Sequence, residues 1–234
     1  MAQSGSRGKV GRFLRASFHE KLNALEVLYF RVKAAVYYRH IFRSFGKGSI
    51  LYTPMLLSHP EYIRIGRGVS IRQGVRLEAI VSDPTQPPEL IIGDNVNIEQ
   101  NAHIVCHSRV VIGNDVSITG HCTIVDVTHP YEDVDDPRKI GDRVRPDRSY
   151  VEIGDRSFLG YAVTVLPNVH IGRYCVIGAN ALVTRDVPDY SVAAGCPAVL
   201  FRQYNHEDGK WHTLNGVPAA KDVRADGSDE PVPR

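Results

Sequence analysis

From Ile153 to Val183 an aliphatic residue stands at every sixth position: Ile153, Leu159, Val165, Ile171, Ile177 and Val183. A period of six matches neither the roughly 3.6 of an α-helix nor the 2 of an ordinary strand, so each hexapeptide must supply a short straight edge and a turn, repeated as a solenoid. The same phase runs earlier through Ile65, Ile71 and Leu77, then Ile92, Ile98 and Ile104, then Ile112, Ile118 and Ile124. Glycine follows many of these directly (Gly66, Gly93, Gly113, Gly154, Gly172, Gly178), and Asn, Asp, Ser and Arg fill the positions between. Such a composition predicts turns with positive φ or local side-chain to backbone bonds. Stacked inward aliphatics imply a long, thin core.

Two segments interrupt the period. Glu78 to Leu90 carries Asp83-Pro84 and Pro87-Pro88 and reads as an irregular excursion; the stretch from Asp126 to Tyr150 holds Thr128-His129-Pro130, an acidic cluster and then Arg138, Lys139, Arg143, Arg145 and Arg148. A long loop in so regular an array is uncommon without a purpose, so function is expected there.

Charge is unevenly spread. Residues 1–47 hold ten Lys or Arg against Glu20 and Glu26, whereas the remainder holds eighteen basic residues against twenty-four acidic. Within this basic arm (1–45), Leu14, Phe18, Leu22, Leu25, Leu28, Tyr29, Val32, Val36 and Tyr37 recur at three- and four-residue steps, which predicts one or two amphipathic helices over about 13–42. Glu26, Arg31 and Lys33 interrupt it too often for a bilayer span. Two roles fit: a cap on the first coil of the solenoid, or a basic face lying on anionic lipid. No nucleic-acid motif accompanies the charge. The four cysteines (Cys106, Cys122, Cys175, Cys196) lie in or beside repeats without metal-type spacing and read as small interior residues. With 43% hydrophobic and 23% charged residues and a polar amino terminus, the chain reads as one soluble, cytoplasmic domain with extensions. Residues 203–234 leave the repeat; Trp211 is placed to pack on the body, and the last stretch, rich in Asp, Gly, Ser and Pro, reads as a disordered tail.

The repeat, together with Val176-Ile177-Gly178-Ala179-Asn180-Ala181-Leu182-Val183-Thr184-Arg185-Asp186-Val187-Pro188 and Ala193-Ala194-Gly195-Cys196-Pro197-Ala198, resembles the hexapeptide-repeat acyltransferases over roughly residues 46–202. The resemblance implies a left-handed parallel β-helix, against the usual right-handed crossover, and a homotrimer with sites between subunits. It also implies acetyl-CoA as donor, no required metal, and an O-acetyltransferase acting on a sugar or polysaccharide precursor; the basic arm allows a peripheral place at the inner membrane face. Asp126-Val127-Thr128-His129-Pro130 occupies the place of the family's catalytic histidine, so His129 is the expected general base. An alcohol must lose its proton as it attacks a thioester, and imidazole titrates near working pH. Counting back thirty residues to the family's acceptor-binding asparagine lands on Glu99, a departure, with Asn101 beside it; Glu99, Asn101 and Asp126 are the acceptor-side candidates. On the donor side the resemblance implies Gly160, Tyr161, Ala179, Thr184, Arg185 and Arg202, with the Gly160 N–H as oxyanion donor; a further family arginine is Val199 here.

Three other readings stand beside this one. The acceptor could be an antibiotic or an amino acid. The same fold hosts γ-class carbonic anhydrases, for which His103, His107 and His121 are the metal candidates, although the histidine pair that class spaces by five residues is His121 and Asp126 here. A non-catalytic scaffold is the third. No phosphate loop, dinucleotide fingerprint or serine elbow is present, and buried cysteines make poor acyl carriers, which favours direct transfer.

Overall fold

A computed structural model describes residues 16–145 and 147–214. Its body is a three-sided parallel β-helix. Each turn of chain lays one strand on each of three sheets, so that neighbours within a sheet come from successive coils. On the first face Ile63–Ile65, Glu89–Ile92, Arg109–Ile112, Tyr150–Ile153 and Val169–Ile171 pair in parallel. The second runs through Ser70–Ile71, Asn97–Ile98, Ser117–Ile118, Phe158–Leu159 and Val176–Ile177, and the third through Arg76–Ala79, His103–Cys106, Thr123–Val125, Thr164–Val165 and Leu182–Val183. The sixth-position aliphatics all point inward: Ile71, Ile98, Ile118, Leu159 and Ile177 stack down the second face with at most 1% of their surface exposed.

The glycine after each aliphatic has a reason different from the expected one. A Cβ added to Gly66 would lie 2.5 Å from the Gly93 carbonyl carbon, and one added to Gly93 would lie 2.7 Å from that of Gly113. These glycines are required by the approach of the next coil. The left-handed backbone sits two residues later, at Asn95, Asp115, Arg156 and Tyr174 (φ 56–60°). Between them, side chains ladder the corner: Asp94 accepts from the Arg67 N–H (2.8 Å), Asn114 from Asp94 (2.8 Å) and Asp155 from Asn114 (2.6 Å). Gly93→Ala is expected to cost about 1–3 kcal/mol by overpacking, read as a fall in melting temperature of roughly 3–10 °C.

The arm forms a helix, α1 (Phe18–Lys33), opened by a capping box in which Ser17 accepts from the Glu20 N–H and Glu20 accepts from the Ser17 N–H. It continues through a π-helical turn (Ala34–Tyr38) to Ile41. Phe30, Ala34, Tyr38 and Phe42 are buried, four residues apart. The last three join the solenoid core, with Tyr38 stacked on Phe45 (centroids 5.7 Å) and Phe30 against Tyr52 (4.7 Å). The arm therefore caps the first coil, but with a face other than the one expected: Phe18, Leu22, Leu25, Leu28, Tyr29, Val32, Val36 and Tyr37 are all exposed. Leu14 lies outside the described residues. Among the described residues no helix is long and apolar enough to cross a membrane.

At the other end the extension is ordered through residue 214, with Trp211 packed as expected. Val199–Asn205 turns back antiparallel on Ser191–Ala194, and Lys210–Thr213 adds a further antiparallel strand to the second face, with Trp211 edge-on to Tyr204 (5.5 Å). The stretch expected to be a disordered tail, residues 221–234, lies outside the described residues. Cys106, Cys122 and Cys175 are buried, and burial pushes each thiol's pKa up; Cys196 is exposed, against expectation.

Candidate functional site

Both long interruptions leave the solenoid at the same corner, between the third and first faces. One coil makes its excursion between Ala79 and Glu89; the next turns tightly through His107-Ser108; the following coil makes its long excursion between Val125 and Tyr150. The two excursions flank the tight turn and enclose a cleft of about 240 Å³ lined by Ser82, Asp83, Gln86, His107, Ser108, Val144 and Arg148.

The root of the long loop is held by Asp126. Its side chain is fully buried, and its carboxylate accepts from three successive backbone N–H groups, those of His107 (2.5 Å), Ser108 (2.7 Å) and Arg109 (2.7 Å). Burial pushes its pKa up, while the three donors pull the other way. Ser149 donates to the Asp126 carbonyl, and the Arg145 N–H donates to the Thr128 carbonyl (3.3 Å), so both ends of the loop are tied together. Asp126, expected to touch the acceptor, is thus committed to architecture, with no oxygen open to solvent.

His129 stands just beyond this root and is exposed. Its Nδ1 lies 2.8 Å from the Arg143 carbonyl. A carbonyl only accepts, so Nδ1 carries the proton and Nε2 is left as the basic nitrogen. Arg143 in turn is buried. Its guanidinium donates to the carbonyls of Asp133 (2.8 Å), Asp136 (2.8 Å) and Arg138 (2.8 and 3.1 Å) and lies 3.5 Å from the Asp136 carboxylate. One side chain therefore folds the loop onto itself and presents its own carbonyl to the histidine. Sequence reasoning missed it, since nothing in its spacing sets Arg143 apart from the loop's other four cations.

Lysine cannot reproduce a planar fork reaching three carbonyls. Arg143→Lys is expected to lower kcat about 10-fold with donor KM little changed, and to open residues 133–143 to proteolysis. Arg138 beside Asp136 holds that carboxyl below the usual carboxylate range. A depressed pKa contributes stability above the ordinary value of about 4 that is lost as pH falls below it. Acid is thus expected to speed proteolysis of the same segment, measured between about pH 5 and 3.

The other expected residues divide between the corner of the second and third faces, the far end of the corner that carries His129, and the closing antiparallel strand. Glu99 and Asn101 sit between the second and third faces. Glu99 is 3.7 Å from Arg72, and the Asn101 side-chain amide is 3.2 Å from His121 Nε2. The His121 ring packs on Tyr161 at 5.2 Å, and Gly160 and Ala179 continue the same corner. The Gly160 N–H, expected to be free for an oxyanion, instead donates to the Ile177 carbonyl (2.8 Å). The neighbouring Tyr161 N–H has no hydrogen-bond partner among the described residues. Thr184 and Arg185 lie back at the corner of the third and first faces, two coils beyond His129; Arg185 lines a cleft of about 250 Å³ with Val183, Val187, Ala198 and Val199. Arg202 lies on the antiparallel strand, opposite Val192 and Thr213. Within one chain the third face separates His129 from Glu99 and Asn101.

The three histidines weighed as metal ligands are dispersed. His103 lies on the third face, its pKa lowered by burial and by Arg76. His107 Nε2 is 2.7 Å from the Ser82 hydroxyl, and His121 faces Asn101. Among the described residues no group of three or more His, Cys, Asp or Glu is arranged to hold a metal ion.

Residues 150–185 match the family model for bacterial transferase hexapeptide, six repeats. A putative lipopolysaccharide biosynthesis O-acetyl transferase of Escherichia coli K12 is 33% identical over 167 residues, covering 69% of this chain and 82% of that protein. The galactoside O-acetyltransferase of the same organism is 34% identical over 174 residues, covering 74% and 70%. Among solved structures, an N-acyltransferase from Bacillus cereus in complex with dTDP and 3-hydroxybutyryl-CoA shares the fold at a TM-score of 0.59 and 16% identity, over 73% of this chain and 87% of that one. A third of the residues shared with two acetyltransferases over most of their lengths, on a coil whose every sixth residue points inward, establish that this chain belongs to the hexapeptide-repeat acyltransferases.

Proposed function

We propose that this protein transfers the acetyl group of acetyl-CoA to a hydroxyl of a sugar or polysaccharide precursor, with His129 as general base. The observation that carries the reading is the Nδ1–H to Arg143 carbonyl bond, which leaves Nε2 of an exposed histidine directed away from its anchor as a proton acceptor. Nε2 takes the proton of the acceptor hydroxyl as its oxygen attacks the thioester carbonyl. Collapse of the tetrahedral intermediate expels the thiolate of coenzyme A, and the imidazolium returns the proton to that sulfur. Such a base contributes about 10²–10⁴ in rate. A backbone N–H supplies the oxyanion contact; Tyr161 replaces Gly160 in that role, because its N–H is not engaged within the coil.

Gly160, Tyr161 and Ala179 on one corner, and Thr184, Arg185 and Arg202 toward the end of the solenoid, are the proposed donor contacts, with the cations toward its phosphates. The coil is taken as left-handed and the assembly as a homotrimer. Closed threefold association would set the His129 corner of one chain against the Asn101–Tyr161 corner of another, which one chain holds apart. The named activities of the two E. coli relatives support acetyl transfer to a carbohydrate.

The acceptor class is tested by incubating the protein with radiolabelled acetyl-CoA and panels of glycosides, nucleotide sugars, amino acids and aminoglycosides. Label on a sugar hydroxyl supports the proposal; label on serine or an antibiotic alone would replace its acceptor half.

A further inference from the structure

The arm helix has two apolar faces. One is buried on the first coil. The other is formed by Phe18, Leu22, Leu25, Tyr29, Val32 and Val36, whose alternating four- and three-residue spacing places them in one straight stripe. All six are exposed, from 47% at Leu22 to 77% at Phe18. A stripe of this length, opposite the packing face, packs on nothing else among the described residues.

Beside it lies a second unexplained feature. Between the helix and the first coil is a cleft of about 490 Å³, with Arg31 and Arg39 on the helix wall and Lys47 on the other, and no acidic residue lines it. None of the three cations has an ion-pair partner among the described residues, although most of the body's arginines are paired. Residues 1–15 add Arg7, Lys9, Arg12 and Arg15 and no acid.

We propose that this end of the molecule docks on an anionic lipid bilayer. The stripe sits at the boundary of headgroups and acyl chains, and Arg31, Arg39 and Lys47 take lipid phosphates. An apolar stripe flanked by unpaired cations is the pattern that binds such a surface, through buried apolar area and charge attraction together. A second copy of the chain matches less well, because stripe-to-stripe contact would bring Lys21, Lys33 and Arg39 against the same cations. Since the stripe faces away from the solenoid, parallel coils in a cyclic assembly would present all their stripes to the same surface.

The test is flotation of the full chain with vesicles of phosphatidylcholine alone or with about a third phosphatidylglycerol. The proposal expects binding to the anionic vesicles at least about 10-fold stronger than to the neutral ones, falling steeply as added salt screens the charges. Leu22→Asp/Leu25→Asp and Arg31→Ala/Arg39→Ala should each lower partitioning by about 10-fold or more. Absent binding, equal binding to neutral vesicles, or either variant partitioning like the wild type overturns it. Complete displacement by millimolar inorganic phosphate overturns it in favour of a soluble anion site. A change of oligomer mass in the Leu22→Asp/Leu25→Asp variant without vesicles overturns it in favour of a contact between copies. Neither donor nor acceptor enters the readout, so its result stands apart from the transferase reading. Salt dependence of the wild type serves if a variant fails to fold.

Discussion

His129→Ala is expected to lower kcat by at least about 100-fold while leaving acetyl-CoA affinity and oligomer mass unchanged. The ring is exposed and makes one hydrogen bond, to the Arg143 carbonyl, so its removal costs little packing and no coil stability. The loss should fall on kcat and kcat/KM alike, because the proton is taken in the transition state. His129→Gln is expected to be equally inactive, since an amide cannot accept the proton. A variant retaining more than about a tenth of wild-type turnover would remove His129 from the base role and move attention to His107 in the adjoining cleft.

The second large effect is structural. Asp126→Ala leaves three backbone N–H groups of the His107–Arg109 turn buried and unpaired, and breaking a buried charge-assisted network of this kind costs about 3–5 kcal/mol. For a chain of this size that corresponds to a fall in melting temperature on the order of 10 °C. Asp126→Asn should recover part of it, because one amide oxygen still accepts while the amide nitrogen opposes an N–H. Because the same residue closes the loop that carries His129, activity should fall in both variants at temperatures where the fold is intact. Normal stability in Asp126→Ala would mean that the three bonds are not made in solution.

How far the chain could be read from its residues follows from which forces are local. The hexapeptide period is a local signal: Ile153 to Val183 point inward because six residues span one edge and one corner, and any other phase would expose them. The loop that carries His129 was legible for the same reason, as a break in the period, but His129 itself was picked out from the loop's other polar residues only by the family resemblance. The glycines were located but misexplained. Their need arises from the neighbouring coil, as Gly66 against Gly93 shows, and contact across coils has no trace in a single hexapeptide. Asp126 looked like a substrate contact because a carboxylate beside the histidine expected as base is ambiguous, and burial on three N–H groups decides it; Glu99 came from a count along the chain, and its carboxylate stays partly exposed beside Arg72. Arg143 was invisible, since its partners are carbonyls that every residue possesses. The arm shows the opposite failure. Its strongest apolar periodicity is the exposed face, whereas the packing face, Phe30, Ala34, Tyr38 and Phe42, is a sparser pattern running through the π-helical turn. Periodicity finds an apolar face without saying what covers it.

The central claim, that this solenoid is an acetyl-CoA-dependent transferase, meets its most direct test in calorimetric titration of the purified protein with acetyl-CoA, in chelator and without acceptor. The account predicts saturable binding at one site per chain, unchanged in His129→Ala. No heat of binding at millimolar donor would contradict it.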